Sequence, residues 1–247
     1  MVDELADLIR ENQPCVALTG AGVSTESGIP DFRSPTGMWA EFDPLEYATL
    51  SAFEADPEKV WRFYAPRFSM LTRAEPNAAH RALAALERHG LLQAVITQNI
   101  DLLHSRAGSD EVVEVHGSIR TSTCPACAAR FALDDVLGLL QEGEGAPRCA
   151  ACGAVLKPDV VFFDELLPEA AIDQAYELAA EAGLLLVVGS SLEVWPVAEL
   201  PLVTLRRGGK VAVVNEGPTS IDREAELKLS GKAGDVLSET VTRLQTP

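Results

Sequence analysis

Four short apolar runs, each ending in small or polar residues, constrain this chain more than any other feature. Cys15–Thr19 precedes Gly20-Ala21-Gly22, and Ala94–Thr97 precedes Gln98-Asn99-Ile100-Asp101. Leu184–Val188 precedes Gly189-Ser190-Ser191, and Lys210–Val214 precedes Asn215-Glu216-Gly217. Unbroken apolar runs of this length suit strands covered on both faces, as in a parallel sheet. Helical patterns lie between them, at residues 77–89 and 169–182. Strand, helix and strand in alternation predict a doubly wound α/β domain with a parallel sheet. Such sheets bind ligands beyond the carboxyl ends of their strands, where all four polar segments fall.

The 247 residues suffice for one large domain or a domain carrying a small insert. Lys plus Arg number 20 and Asp plus Glu 37, giving a net charge of -17. That excess disfavours an electrostatic nucleic-acid binder and docking on an anionic membrane, and it weakly favours cationic partners such as Lys-rich peptides. No apolar run approaches the ~18 residues of a spanning helix. The acidic, amphipathic start is unlike a secretory signal, so a cytoplasmic protein is expected. Two stretches interrupt the α/β pattern: residues 31–73, with Pro35, Pro44, Pro57 and Pro66 among helical fragments, and residues 120–157, with a helical piece at 133–140.

The second of these carries Cys124-x2-Cys127 and Cys149-x2-Cys152, separated by 21 residues. Two such knuckles can close four thiolates around one tetrahedral ion with no open position, which predicts structural rather than catalytic zinc. Buried or redox-active cysteine pairs are the alternative. Cys15, in the first strand, is expected to be a buried small hydrophobe.

Gly20 and Gly22 permit a tight turn and close backbone approach to a pyrophosphate, and Ser24 or Thr25 is placed to cap the helix that follows. The dehydrogenase fingerprint Gly-x-Gly-x-x-Gly is absent, because position 25 is Thr. The loop therefore suits a dinucleotide without hydride transfer. Of the four histidines, His116 alone follows an apolar run and precedes a glycine, which leaves room for a substrate; His80, His89 and His104 suit structural roles.

In collinear order, GAGVSTESGIPDFRSPTGMW (20–39), TQNIDLLH (97–104), Val115-His116-Gly117, the cysteine quartet, KPDVVFFDE (157–165), GSSLEVWPVAELP (189–201) and VNEGPT (214–219) resemble the sirtuin family of NAD-dependent protein deacylases. The resemblance implies a Rossmann-like domain of residues 1–33, 74–119 and 158–247, a helical insert and cofactor loop of 34–73, and a zinc module of 120–157. It implies NAD and one structural zinc ion as cofactors and an acylated lysine of a protein as partner. Ala21, Phe32, Arg33 and Trp39 would line the nicotinamide end of the NAD site, with Ser24 beside them. Gln98, Asn99, Ile100 and Asp101 would hold the nicotinamide ribose and its amide. Gly189, Ser190 and Ser191 would approach the phosphates, Asn215, Glu216 and Gly217 the adenosine ribose, and Ala233 the adenine. His116 would be the catalytic base, with Asn99 beside it, and Val160, Val161 and Phe162 would pair with the substrate backbone.

The chemistry is consistent with this. NAD offers an electrophilic anomeric carbon once nicotinamide departs, and a base titrating near neutrality then activates a ribose hydroxyl, a task that suits histidine. Tyr64 and Arg67 resemble the Tyr-x-x-Arg arrangement of the desuccinylase and demalonylase branch, and Ala48 its small residue. At i and i+3 they share a helix face, so Arg67 can take a distal carboxylate while Tyr64 donates a hydroxyl. Pro66 between them and Asp31, more typical of deacetylases, leave plain deacetylation as the alternative. Protein ADP-ribosyl transfer, a bare NAD or ADP-ribose binding module and a zinc-ribbon nucleic-acid binder are the others, the last disfavoured by charge.

Overall fold

A computed structural model describes residues 1–142 and 145–245. Its strands are β1 (Cys15–Thr19), β2 (Ala94–Thr97), β3 (Val112–Glu114), β4 (Gly117–Thr123), β5 (Arg130–Ala132), β6 (Lys157–Val160), β7 (Leu184–Val188), β8 (Lys210–Val214) and β9 (Leu227–Leu229). The four apolar runs are β1, β2, β7 and β8, with the bounds read from sequence. Every residue of β1, β2 and β7 is buried, as two-sided cover requires.

Six strands form an all-parallel sheet in the order β3-β2-β1-β7-β8-β9. The chain winds outward from β1 to β3, then returns to build on the other side of β1. The crevice between β1 and β7 is therefore the topological switch point. Alternate strand residues face opposite layers. Cys15, Ala17, Leu184 and Leu186 pack with Leu5, Leu83 and Leu237 on one side, while Val16, Leu18, Leu185 and Val187 pack with Ala175, Leu178 and Leu200 on the other. Cys15 is fully buried, and desolvation pushes its thiol up to about 12, so it is inert as a nucleophile.

A second sheet, β5-β4-β6, is antiparallel and belongs to a smaller lobe. The helix Pro57–Arg73 from the first interruption and the cysteine stretch from the second share one core here. Trp61 and Phe68 pack with Ile119, Val136, Leu156, Val160 and Phe162. Trp61 donates its indole N–H to the Leu156 carbonyl at 2.6 Å. The Glu58 carboxylate accepts from Ala146 N at 2.7 Å and pairs with Arg148 at 2.6 Å. Strand β4 begins at Gly117, which pairs with Val160. Gly117 has φ 69°, and a Cβ there would lie 2.2 Å from the Asp159 carbonyl oxygen, so only glycine lets the lobe start directly after His116.

Candidate active site

The strand ends and the small lobe enclose a cleft of about 830 Å³. Gly20, Ala21, Gly22 and Ser24 reach it from the end of β1, and Phe32, Arg33 and Trp39 from the loop beyond. Gln98, Asn99, Ile100 and Asp101 follow β2, His116 follows β3, Gly189, Ser190 and Ser191 follow β7, and Asn215, Glu216 and Gly217 follow β8. Ala233, the first residue of the helix Ala233–Gln245, closes this wall. Ala48, Tyr64, Arg67, Val160, Val161 and Phe162 line the opposite one. Met38, Asp164, Glu193 and Trp195, inside the matching segments but not singled out from them, also line the cleft, as does Phe63, which lies outside those segments.

The turns after β1 and β7 interlock. Gly20 N donates to Val188 O at 3.1 Å and Gly22 N to Gly189 O at 2.9 Å. A Cβ on Gly22 would meet that same oxygen at 2.8 Å, and one on Gly189 (φ 59°) would lie 2.2 Å from Val23 N. Bare backbone is thus presented to the cleft, the surface a pyrophosphate needs. The expected cap by Ser24 or Thr25 does not form. Residues Ala21–Ser27 make a 3-10 helix whose N-cap is Gly20. Inside it, Ser24 Oγ donates to Asp101 Oδ2 at 2.7 Å, while Thr25 Oγ1 donates to Gly22 O at 2.9 Å. Glu26, in the same helix, accepts from Gly234 N at 2.8 Å and fixes the start of the helix that brings in Ala233.

Beneath the cleft lies a buried polar cluster. Asn99 Nδ2 donates to Gly20 O and Ser24 Oγ, both at 3.1 Å. Asp101 Oδ1 accepts from Leu103 N at 2.9 Å, and burial nonetheless lifts the Asp101 carboxyl above its ordinary range. Gln98 Nε2 donates to Ser190 Oγ at 2.9 Å, linking the β2 and β7 ends. His80 Nδ1 accepts from Asn77 N at 3.3 Å, which leaves the proton on Nε2, 3.4 Å from Ser24 Oγ. His104 contacts Thr19 Oγ1 at 2.9 Å, and its ring lies 4.8 Å from that of His80. Desolvation pulls His80 down to about 4 and His104 to about 3, so both are neutral scaffold groups near pH 7.

His116 differs. Its Nδ1 is 3.1 Å from the Gln98 carbonyl, which can only accept, so Nδ1 carries the proton and Nε2 is the basic atom. Burial lowers its pKa, the bond to Gln98 opposes that, and the Arg33 cation lowers it further. Arg33 in turn pairs with Glu193 at 2.9 Å, across the loops that follow β1 and β7.

Arg67 makes no ion pair among the described residues. Its guanidinium lies 3.5 Å from the Phe63 ring centroid and 4.8 Å from that of Phe42, Nε donates to Met38 Sδ at 3.3 Å, and Nη1 donates to the Phe63 carbonyl. Aromatic faces thus hold a cation in place without neutralising it, although burial lowers its pKa. Tyr64 stacks toward Phe162 at 5.5 Å, and burial keeps its hydroxyl protonated. Pro66 lies inside the helix Pro57–Arg73, which runs on past it. Along the neighbouring segment, Val161 N donates to His116 O at 2.9 Å, Phe162 N to Glu165 Oε2 at 3.0 Å and Phe163 N to Ala48 O at 2.8 Å. These three amides are satisfied within the protein.

Away from the cleft, the ligand atoms of Cys124, Cys127, Cys149 and Cys152 all lie within 4.8 Å of one another, with contacts of 3.5 to 3.6 Å. Zinc–sulfur bonds of about 2.3 Å in a tetrahedron demand sulfur separations of about 3.8 Å, so the quartet fits one zinc ion. The knuckles match: Ala128 N donates to Cys124 O at 2.9 Å and Gly153 N to Cys149 O at 2.8 Å, with φ of 61° and 77°.

Residues 20–196 match the model of the Sir2 family. A protein of Pyrobaculum aerophilum named NAD-dependent protein deacetylase 1 is 45% identical over 99% of this chain and 95% of its own length. One of Thermococcus kodakarensis named NAD-dependent protein deacylase is also 45% identical, over 99% and 96%. A solved Sir2 homologue in complex with ADP-ribose superposes with a TM-score of 0.94 at 42% identity, covering 99% of this chain and 97% of that one. A Sir2 structure bound to a propionylated peptide does so with 0.89 at 40% identity, covering 98% and 97%. Motif order, sheet order and cleft therefore have one common explanation, which is that the chain belongs to the Sir2 family.

Proposed function

We propose that this protein removes acyl groups from protein lysine side chains in an NAD-dependent reaction, preferring succinyl and malonyl groups. When bound, NAD supplies an electrophilic anomeric carbon and a leaving nicotinamide. The glycine turns after β1 and β7 receive the pyrophosphate with Ser190 and Ser191. Asn215, Glu216 and Gly217 face the adenosine ribose, and Ala233 the adenine. Phe32, Arg33, Trp39, Gln98, Asn99, Ile100 and Asp101 orient the nicotinamide end and shield it from water. His116 Nε2 accepts the proton of a ribose hydroxyl, and the Gln98 carbonyl stabilises the imidazolium so formed. The cysteine quartet would hold zinc as a brace for the small lobe. Relatives named deacetylase and deacylase, and a neighbour with a propionylated peptide, support an acyl-lysine substrate.

The observation that carries the acyl preference is Arg67. It is a cation on the cleft wall with aromatic neighbours and no ion pair among the described residues, the Glu41 carboxylate acting on it from beyond ion-pair distance, and it stands one helical turn from the Tyr64 hydroxyl. A carboxylate at the end of an acyl chain completes it at a strength of ~1.5–3 kcal/mol. The test measures kcat/KM on succinyl-, malonyl- and acetyl-lysine peptides of one sequence, with the product identified by mass. Release of 2′-O-acyl-ADP-ribose, fastest from the dicarboxylic chains, is expected. Equal rates on all three remove the preference, and ADP-ribose attached to protein instead replaces the reaction. Arg67→Met should weaken desuccinylation about tenfold or more while sparing deacetylation. Equal loss of both makes Arg67 structural.

A further inference from the structure

We propose that Asp164 is a positioning residue for acyl-chain selection, its carboxylate clasping the Ala48–Ser51 segment against the turn that follows Phe162. The proposal rests on the acyl-lysine reading above.

Asp164 adopts φ 61°, the left-handed region that penalises a residue with a Cβ. Glycine would make the same turn without that penalty, but it would bring neither of the two contacts that the Asp164 carboxylate makes. Oδ1 accepts from Leu50 N at 2.8 Å, and Oδ2 accepts from Ser51 Oγ at 2.9 Å. Both partners lie more than a hundred positions away, at the start of the helix Leu50–Ala55. Apart from this carboxylate, backbone bonds join the two segments in an isolated parallel bridge between Thr49 and Phe163. Phe163 N donates to Ala48 O at 2.8 Å, and Leu50 N shares its proton with Phe163 O at 3.0 Å. No regular strand continues on either side of that bridge, and Phe163 is 40% exposed. An exposed, two-bond bridge frays readily. The Asp164 carboxylate reinforces it, adding the Ser51 hydroxyl as a third donor and sharing the Leu50 N–H with the Phe163 carbonyl.

What the clasp holds is the acyl end of the cleft. Ala48 and Phe162 both line it, and Phe162 packs on Phe53 at 5.8 Å and Tyr64 at 5.5 Å. The spacing between Ala48 and the Phe162 turn therefore sets the space in which a longer acyl chain lies as it reaches for Tyr64 and Arg67. An acetyl group is two carbons long and needs little of that space. Release of the clasp should penalise long chains and spare short ones.

The test compares wild type, Asp164→Gly and Asp164→Asn on acetyl-, propionyl- and succinyl-lysine peptides of one sequence, with NAD KM and thermal midpoint recorded. Asp164→Gly keeps the backbone conformation and removes both bonds. It should lower kcat/KM for the succinyl relative to the acetyl peptide about tenfold, through KM, with NAD KM and thermal midpoint nearly unchanged. Asp164→Asn tolerates the same φ and retains an acceptor for Leu50 N, so it should keep most of the wild-type ratio. An Asp164→Gly enzyme whose ratios among the three peptides match wild type overturns the proposal, as does an equal loss on all three. Should the wild type turn over none of the peptides, the deacylase reading itself falls, a result distinct from an active enzyme indifferent to residue 164.

Discussion

His116 joins chemistry to environment at a single side chain. Burial and the Arg33 charge both favour its neutral form, the form a base needs. The acid limb of kcat/KM should therefore lie below the ordinary histidine value of about 6.5. Arg33→Met removes a cation that disfavours the imidazolium, so the limb should move to higher pH; an unmoved limb separates Arg33 from the base. His116→Ala should abolish turnover while calorimetric NAD binding survives, and normal turnover in that variant removes its role. In the first zinc knuckle, Ala128 holds the left-handed conformation that Gly153 holds in the second. Ala128→Gly should stabilise the protein by about 1 kcal/mol, measured as a shift of the denaturation midpoint. The place of His116 on the cleft wall was legible because an apolar run, a histidine and a glycine succeed one another in the chain. The support of Arg67 by Met38 and Phe42 was not, because aromatic and thioether contacts leave no spacing rule in sequence. The Ser24 hydroxyl misled for a similar reason, since its partner Asp101 lies 77 positions away.

Among the elements, the four central strands were legible to the residue because two-sided burial confines polar residues to strand ends, at Thr19, Thr97 and Lys210. Strands β3 and β9, at the sheet edges, are three residues each and include Glu114 and Lys228, too short and too polar to show a period. The cleft-facing turns were legible as glycine patterns, but their interlocking was not. Gly22→Ala places a methyl 2.8 Å from the Gly189 carbonyl oxygen, and backbone cannot move aside as a side-chain tip can. The variant should raise NAD KM about tenfold or more and lower the thermal midpoint. An unchanged KM would mean that the two turns separate freely.

At the scale of the molecule, His80 and His104 make the fold sensitive to acid. Their folded values, about 4 and about 3, lie below the unfolded value near 6.5. Between those limits the unfolded chain binds protons that the folded one refuses, so stability falls as pH drops below 6.5. At pH 5 the loss from His80 alone is about 2 kcal/mol, readable as a lower unfolding midpoint. His80→Asn should remove about half of that dependence and leave the part due to His104. Removal of zinc by a chelator should lower the small lobe's melting temperature, because closing such a site contributes on the order of 10 kcal/mol of local folding free energy. Full activity in a stably folded, zinc-free protein would contradict the brace. Two interruptions of the sheet pattern were legible as separate stretches, yet nothing in their sequences announced that Trp61 of one would lie against Leu156 of the other. This joint interior limits how the molecule can be recombined. A chimera that imports a relative's helical insert while keeping the native cysteine stretch would bring half of a matched pair, and only a graft carrying both should inherit the donor's preference intact.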